Sequence, residues 1–343
     1  MFDSLGDRNR PNWKLRAVLA ALVLAMVWGC IWLLRVTQMP LKSYMGPLPP
    51  ICLEQSDLAE RLSAHVKYLS ATIGDRSMPR AGSLKATIDY IRSELTQAGY
   101  AVDEHTFSVH DQQVSNIEAD LLGSETAEGS VIVGAHYDSV TGAVGANDNC
   151  TGVAAVLELA KLLKTLKLRR TLRFVLFVNE EPPYFQSENM GSLAYARQLR
   201  REGIPVSGMI SLETIGFYSD APGSQKYPPL LNLFYPSRGD FIGFVGNEES
   251  RDLVRRSIRT FRETTSFPSE GIAAPSAWPG IGWSDHWSFW QENHPAIMIT
   301  DTAPFRYPYY HTPRDTFDKV NFEKTARVVE GVRHVIEFLS DER

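Results

Sequence analysis

The run SVIVGAHYD at 130–138 constrains the fold more than any other stretch of the chain. Its apolar residues do not alternate with polar ones, so a strand made from it is buried on both faces, as strands in parallel sheets are. Parallel strands need long crossovers, usually helical, and the surrounding sequence supplies them. Helical patterns at 53–71 and 83–98 lead in, the second stopping at Gly99. Strand-like runs follow at 101–109 and 115–123. After 130–138 come a helical pattern at 151–167, a strand at 171–181, a helix at 192–203 that stops at Gly203, and a strand at 208–216. A helix at 248–264, a strand at 294–302 and a long helix from about 321 to 340 complete the order. This alternation predicts an α/β fold with a mostly parallel central sheet flanked by helices. The stretches 217–247 and 265–287 lack clear periodicity and are rich in Gly, Pro, Ser and aromatics. Loops that long in a compact domain usually carry function, and these are expected to build or cover a substrate pocket.

The N-terminal region has a different character. Residues 17–34 read AVLAALVLAMVWGCIWLL without a charge, near the minimum length for a spanning helix. Arg8, Arg10, Lys14 and Arg16 precede this run and Arg35 follows it, a bias that favours a cytoplasmic N-terminus. The expected arrangement is a cytoplasmic segment 1–16, a transmembrane anchor 17–35, a Pro-rich linker 36–52 and an extracytoplasmic domain over 53–343. The rival is a cleaved signal peptide; the apolar run is long for that and no clear small-x-small site follows it. Cys30 lies inside the run, and Cys52 and Cys150 would pair only if brought close in an oxidising compartment. A net charge of −5 with no extended basic stripe excludes nucleic acid as an expected partner. Nothing in the sequence signals an oligomeric state.

In open parallel sheets, ligands bind beyond the carboxyl ends of the strands. There the sequence places His136-Tyr137-Asp138, then Asn179-Glu180-Glu181, then Glu213, and, after the last strand, Tyr310-His311-Thr312. Gly145-Ala146-Asn147-Asp148-Asn149 lies between the first of these strands and its helix. His136, Asp148, Glu181, Glu213 and His311 form a set of two imidazoles and three carboxylates, a mixture that suits zinc. Five ligands exceed what one tetrahedral ion with an open position needs, and they suit two ions with a bridging carboxylate.

The ordered motifs HxD, GANDNxxG, NEE, LExIG and YHTxxDT resemble those of the M28 metallopeptidases, over roughly residues 55 to 340. The resemblance implies a zinc-dependent exopeptidase acting on peptides, most like an aminopeptidase. His136 would bind one zinc, Asp148 would bridge, and Glu181 and His311 would bind the second. Glu180 would be the general base, Asp138 would hydrogen-bond a ligand, and Tyr310 would assist the tetrahedral intermediate. A cis peptide is implied at Asp148–Asn149. Glu213 stands where the family usually has Asp, so a one-zinc enzyme is the alternative to two ions.

Other residues are read more plainly. Asp285-His286 is a candidate for supporting the site or touching substrate, Asp315 is expected to support the His311 loop, and His294 to be structural. Trp278, Trp283, Trp287, Phe289 and Trp290 would line a pocket or simply pack. The rival functions are a glutaminyl cyclase on the same fold, a carboxypeptidase of the same family and a non-catalytic binding ectodomain. Cyclases usually carry Trp before the last His ligand, where this chain has Tyr310, and a binding ectodomain tends to lose ligands or base, all of which are filled here.

Overall fold

The computed structural model describes residues 13–125 and 129–342. The basic residues Arg8 and Arg10 and most of the expected cytoplasmic segment lie outside the described residues. The helices are α1 (Trp13–Thr37), α2 (Leu53–Lys67), α3 (Ala81–Gln97), α4 (Thr151–Leu163), α5 (Gly191–Glu202), α6 (Arg251–Thr264), α7 (His286–Gln291), α8 (Ala303–Arg306) and α9 (Phe322–Asp341). The strands are β1 (Asp103–Val109), β2 (Gln112–Leu121), β3 (Ser130–His136), β4 (Thr171–Phe177), β5 (Val206–Glu213), β6 (Ile242–Gly246), β7 (Ser269–Ala273) and β8 (Ala296–Thr300). They form one sheet in the order β1-β2-β4-β3-β5-β8-β6-β7.

The sheet is parallel through its centre, where β3 lies between β4 and β5, and β5 pairs with β8. β1 and β2 add antiparallel strands beside β4, and β6 runs antiparallel to β8 while pairing in parallel with β7. The expected parallel centre is present. The structure corrects the reading of 217–247 and 265–287 as strandless, because β6 and β7 lie inside them. These are five-residue strands, IGFVG and SEGIA, broken by glycines that weaken the strand signal. The strand expected at 171–181 ends at Phe177, and the one expected at 208–216 ends at Glu213.

Alternation along each strand sorts side chains onto two faces. One face carries Val131, Val133 and Ala135 of β3, Phe174 and Leu176 of β4, and Ile297 and Ile299 of β8. It is covered by α2, α4, α6 and α9, whose buried residues belong to the same core. α9 meets it with a stripe at helical spacing, Val328, Val332, Val335 and Leu339. The opposite face carries Ile132, Val175, Phe177 and Met209, and α5 and α7 cover it through Tyr195, Leu199 and Phe289. Beyond β8, no helix among the described residues is laid across that second face. Val245 of β6, Ile272 of β7 and Met298 of β8 pack instead against Leu231, Ile281 and Val36 at the end of α1.

α1 is long and apolar enough to cross a membrane, and the apolar stretch within it has no buried residue until its last turn. Cys30, Cys52 and Cys150 are all free, the first two exposed and the third buried, so no Cys52–Cys150 bridge forms.

Candidate metal centre

The carboxyl ends of β3, β4 and β5 bring the predicted residues together. His136 is the last residue of β3 and Glu213 the last of β5. The Nε2 of His136 lies 3.2 Å from Glu213 and 3.3 Å from Asp148. On the other side of Asp148, the Nε2 of His311 lies 3.1 Å from Asp148 and 3.1 Å from Glu181. Two groups result, His136–Asp148–Glu213 and Asp148–Glu181–His311, each with ligand atoms within 4.8 Å of one another. Asp148 belongs to both. Among the described residues neither ring nitrogen of His136 nor Oδ2 of Asp148 has a hydrogen-bond partner, despite these short separations. Buried polar atoms that converge without bonding one another fit a set of donors aimed at a cation.

Electrostatics points the same way. Burial opposes protonation of His136, yet the carboxylates of Glu213 and Glu180 hold its pKa well above the ordinary value. Burial pushes Glu181 up to about 7 and raises Glu180 and Glu213 as well. His311 is buried enough to disfavour its charge, but the adjacent carboxylates of Asp148 and Glu181 carry it up to about 10. This many carboxylates in a buried space call for positive charge, which metal ions supply.

The local backbone explains how adjacent Glu180 and Glu181 serve different ends. β4 stops at Phe177, and Asn179 adopts a left-handed φ of 60°, which turns the chain out of the sheet. The two oxygens of Asp138 then accept the backbone N–H groups of Glu180 and Glu181 at 3.2 and 3.1 Å. Glu181 Oε1 accepts from the N–H of Val140 at 3.1 Å, leaving Oε2 facing His311. Glu180 joins neither ligand group; its Oε2 lies 3.8 Å from His136. Asp138 also lies 3.5 Å from Nδ1 of His136. Tyr310 stacks on the His311 ring with centroids 3.8 Å apart, and burial together with the nearby carboxylates raises its pKa well above normal.

The loop holding Asp148 is fixed from several sides. The peptide Asp148–Asn149 is cis, as the resemblance implies. Asp315 accepts the N–H groups of Asn147 and Asp148 at 2.9 and 3.0 Å and the Tyr307 hydroxyl at 2.7 Å. It therefore ties the Asp148 loop directly to the His311 segment, a wider task than the expected support of His311 alone. Gly145 has a φ of 54°, and a Cβ there would sit 2.1 Å from the Asp148 carbonyl, so glycine is required. Asn149 bridges to β5 through its bonds with Leu212 and Thr214.

Other residues support the site, and Arg76, Ser284 and Asp301 among them carried no sequence signal. Arg76 is fully buried and donates to the carbonyls of Tyr137, Val144 and Gly145, which shapes the 137–145 loop. Asn147 and Asp301 bond each other at 2.9 Å, and Asp301 accepts from the N–H groups of Gly216 and Phe217. Ser284 donates to Glu213 at 2.8 Å. Asp285 is fully buried, and burial pushes it up to about 7. Its neighbour His286 is held neutral by burial, down to about 4, with Nε2 on the Ile281 carbonyl at 2.7 Å; its role is structural. His294 packs against Phe289, as expected of a structural histidine.

An open cavity of about 770 Å³ starts beside Glu213 and Tyr310. Tyr227, Leu231, Tyr235, Phe244, Ile281 and Trp283 are among its apolar lining. The two aperiodic stretches do build it. Of the five sequence-flagged aromatics, Trp283 lines this space and stacks on Phe305, whereas Phe289 is core and Trp278 packs edge-on against Trp32. Trp290 donates to the Ala296 carbonyl, and Trp287 lies against Gly282, so both are packing residues.

Residues 116–336, most of the chain beyond the N-terminal region, match Peptidase family M28. The chain belongs to peptidase family M28. Membership makes it a hydrolase of a metallopeptidase family. A protein of Escherichia coli, the uncharacterized protein YfbL, is 40% identical over 283 residues, covering 80% of this chain and 86% of that protein. Aminopeptidase YwaD of Bacillus subtilis is 28% identical over 220 residues, but the chain spans only 41% of it. Among solved structures, a zinc aminopeptidase from Bacillus subtilis superimposes with a TM-score of 0.66 at 16% identity, covering 87% of this chain and 97% of that one. The glutaminyl cyclase of Porphyromonas gingivalis reaches 0.62 at 21% identity, covering 82% and 98%. Both likenesses establish the α/β fold alone; the chemistry is carried by the M28 residues themselves.

Proposed function

We propose that this M28 chain is a membrane-anchored zinc aminopeptidase that removes apolar N-terminal residues from peptides outside the cytoplasm. The observation that carries the reading is the sharing of Asp148 by two ligand groups, with Glu180 beside them and outside both. His136, Asp148 and Glu213 would hold one zinc, and Asp148, Glu181 and His311 the other. Bound zinc supplies a Lewis acid and a water of lowered pKa. Glu213 reaches the first group despite the methylene that separates it from the family's usual Asp, and Ser284 donates to the same Oε2 that faces His136.

The protein's own residues handle protons and position. Glu180 takes the proton as the water oxygen bonds to the scissile carbonyl carbon, and returns it to the amine nitrogen as the carbon–nitrogen bond breaks. Asp138 holds the turn that keeps Glu180 and Glu181 apart. The Tyr310 hydroxyl, which stays protonated, donates to the oxygen that becomes negative. The cavity beside Glu213 and Tyr310 takes the first side chain, and its aromatic and aliphatic lining favours apolar residues. α1 anchors the domain, its 18 uncharged residues spanning about 27 Å as a helix.

The full chain, loaded with zinc in detergent, is to be incubated with a peptide mixture holding free, N-acetylated and N-terminal Gln peptides, read by mass spectrometry. Stepwise loss of apolar N-terminal residues from the free peptides only is the expected result. Loss of ammonia from the Gln peptides would replace the reading by a cyclase, and removal of C-terminal residues by a carboxypeptidase. No reaction with zinc bound would leave a binding ectodomain.

A further inference from the structure

The last turn of α1 is part of the domain's own packing. Val36 is 1% exposed and shares a core with Leu231, Val245, Ile272, Ile281 and Met298, all of which line the apolar cavity. Trp32 packs edge-on against Trp278 and donates to Glu248. The helix therefore leaves the body of the protein at the back of the cavity. Leu231 sits in that same core, and the segment around it exposes its neighbours: Leu230 is 61% exposed, Leu233 72% and Phe234 38%. Tyr227 and Tyr235 hold the two ends of this segment, stacked on each other and bonded to the Pro236 and Gly271 carbonyls. An exposed apolar loop braced in this way, next to the exit of an apolar helix, suits the boundary between headgroups and acyl chains.

Charge agrees with this placement. Arg251 donates to the carbonyl of Arg35 at 3.2 and 3.1 Å, and Arg255 to that of Gln38 at 2.7 Å. Three guanidinium groups, counting Arg35, thus gather where α1 ends, at the level where lipid phosphates lie. Trp28, 70% exposed on α1, and Trp32 stand one turn apart near the same level, as aromatic residues do at a membrane interface.

We propose that residues 228–235 are a second membrane contact, in which Leu230, Leu233 and Phe234 enter the headgroup–acyl boundary of the bilayer crossed by α1 and set the cavity at the lipid surface. The proposal rests on the reading of α1 as a spanning anchor. The apolar cavity then faces peptides concentrated at the bilayer surface rather than peptides free in bulk water.

The test is the depth of nitroxide labels on the full chain in vesicles of phosphatidylethanolamine and phosphatidylglycerol, with Cys30→Ala and Cys52→Ser as background. Labels are placed singly by Leu233→Cys in the loop, Leu24→Cys in mid-helix and Lys85→Cys on α3, all exposed sites. The ratio of collisions with oxygen to collisions with a water-soluble nickel chelate reports depth. The expected result is a ratio at Leu233 several-fold above that at Lys85, with Leu24 higher still. A ratio at Leu233 equal to that at Lys85, with Leu24 in lipid, would overturn the loop contact and leave the anchor standing. An aqueous value at Leu24 would overturn both.

Discussion

The second face of the sheet is closed in two different ways, and the contrast separates chemistry from selection. Over β3, β4 and β5 it is covered by α5 and α7, and the strand ends emerge as a rigid rim that carries His136 and Glu213. Over β8, β6 and β7 it is covered by loops and by the end of α1, which leaves a cavity beside Glu213. Buried helices hold polar ligands in place at the first half. At the second half, aromatic loops leave room for a side chain. Changes to the ligand residues on the rim should therefore abolish metal binding and turnover together, whereas changes in the cavity should alter which peptide is cut and leave the metal alone.

The largest effect is expected at Asp148, the one residue in both ligand groups. Asp148→Ala should lose zinc from both sites by elemental analysis and bring cleavage to background. Retention of half the zinc with activity would break the division. Asp315 comes next, because it orients the Asp148 loop without joining a ligand group. Asp315→Ala should weaken zinc binding about 10–100-fold, the usual cost of losing such support, and added zinc should restore turnover. Third, Trp283→Ala in the cavity should lower kcat/KM for Leu and Phe peptides on the order of tenfold, with zinc content unchanged and Ala peptides little affected.

The smallest effect concerns stability away from both halves of that face. Glu158 of α4 receives Arg61 at 2.6 Å, His65 at 3.0 Å and Lys161 at 3.0 Å. Burial opposes its charge, but these donors win and lower its pKa from 4.5 to about 2. A depressed carboxylate pKa contributes stability above the ordinary value, and that contribution is lost as pH falls from about 4.5 toward about 2. Thermal melts across that range should show Glu158→Gln to be less pH-sensitive than the wild-type chain by a few degrees. Equal slopes would remove Glu158 from the account.

The same contrast governs what could be read from sequence. The rim was legible because its residues fall at or beyond the ends of apolar strands, in an order that resembles the M28 motifs. His136, Asp148, Glu181, Glu213 and His311 lie together in the two groups that share Asp148. β6 and β7 were not legible, since five residues interrupted by Gly243, Gly246 and Gly271 look like loop until a neighbouring strand pairs with them. Nor was Arg76: an arginine in a loop reads as surface, and only the fold shows it buried among carbonyls of the 137–145 segment. The membrane-like run of α1 was plain from composition, but the docking of Val36 and Trp32 into the domain depends on partners some 200 residues away.

The central claim is that Glu180 moves protons at a two-zinc centre without binding metal. Zinc stoichiometry and kcat of purified Glu180→Gln, measured side by side with the wild-type chain, test it most directly. The account predicts two zinc ions per chain in both proteins and a kcat lower by about 10²–10⁴-fold in the variant. Loss of a zinc ion from the variant would make Glu180 a ligand, and retained turnover would remove it from the chemistry; either result contradicts the account.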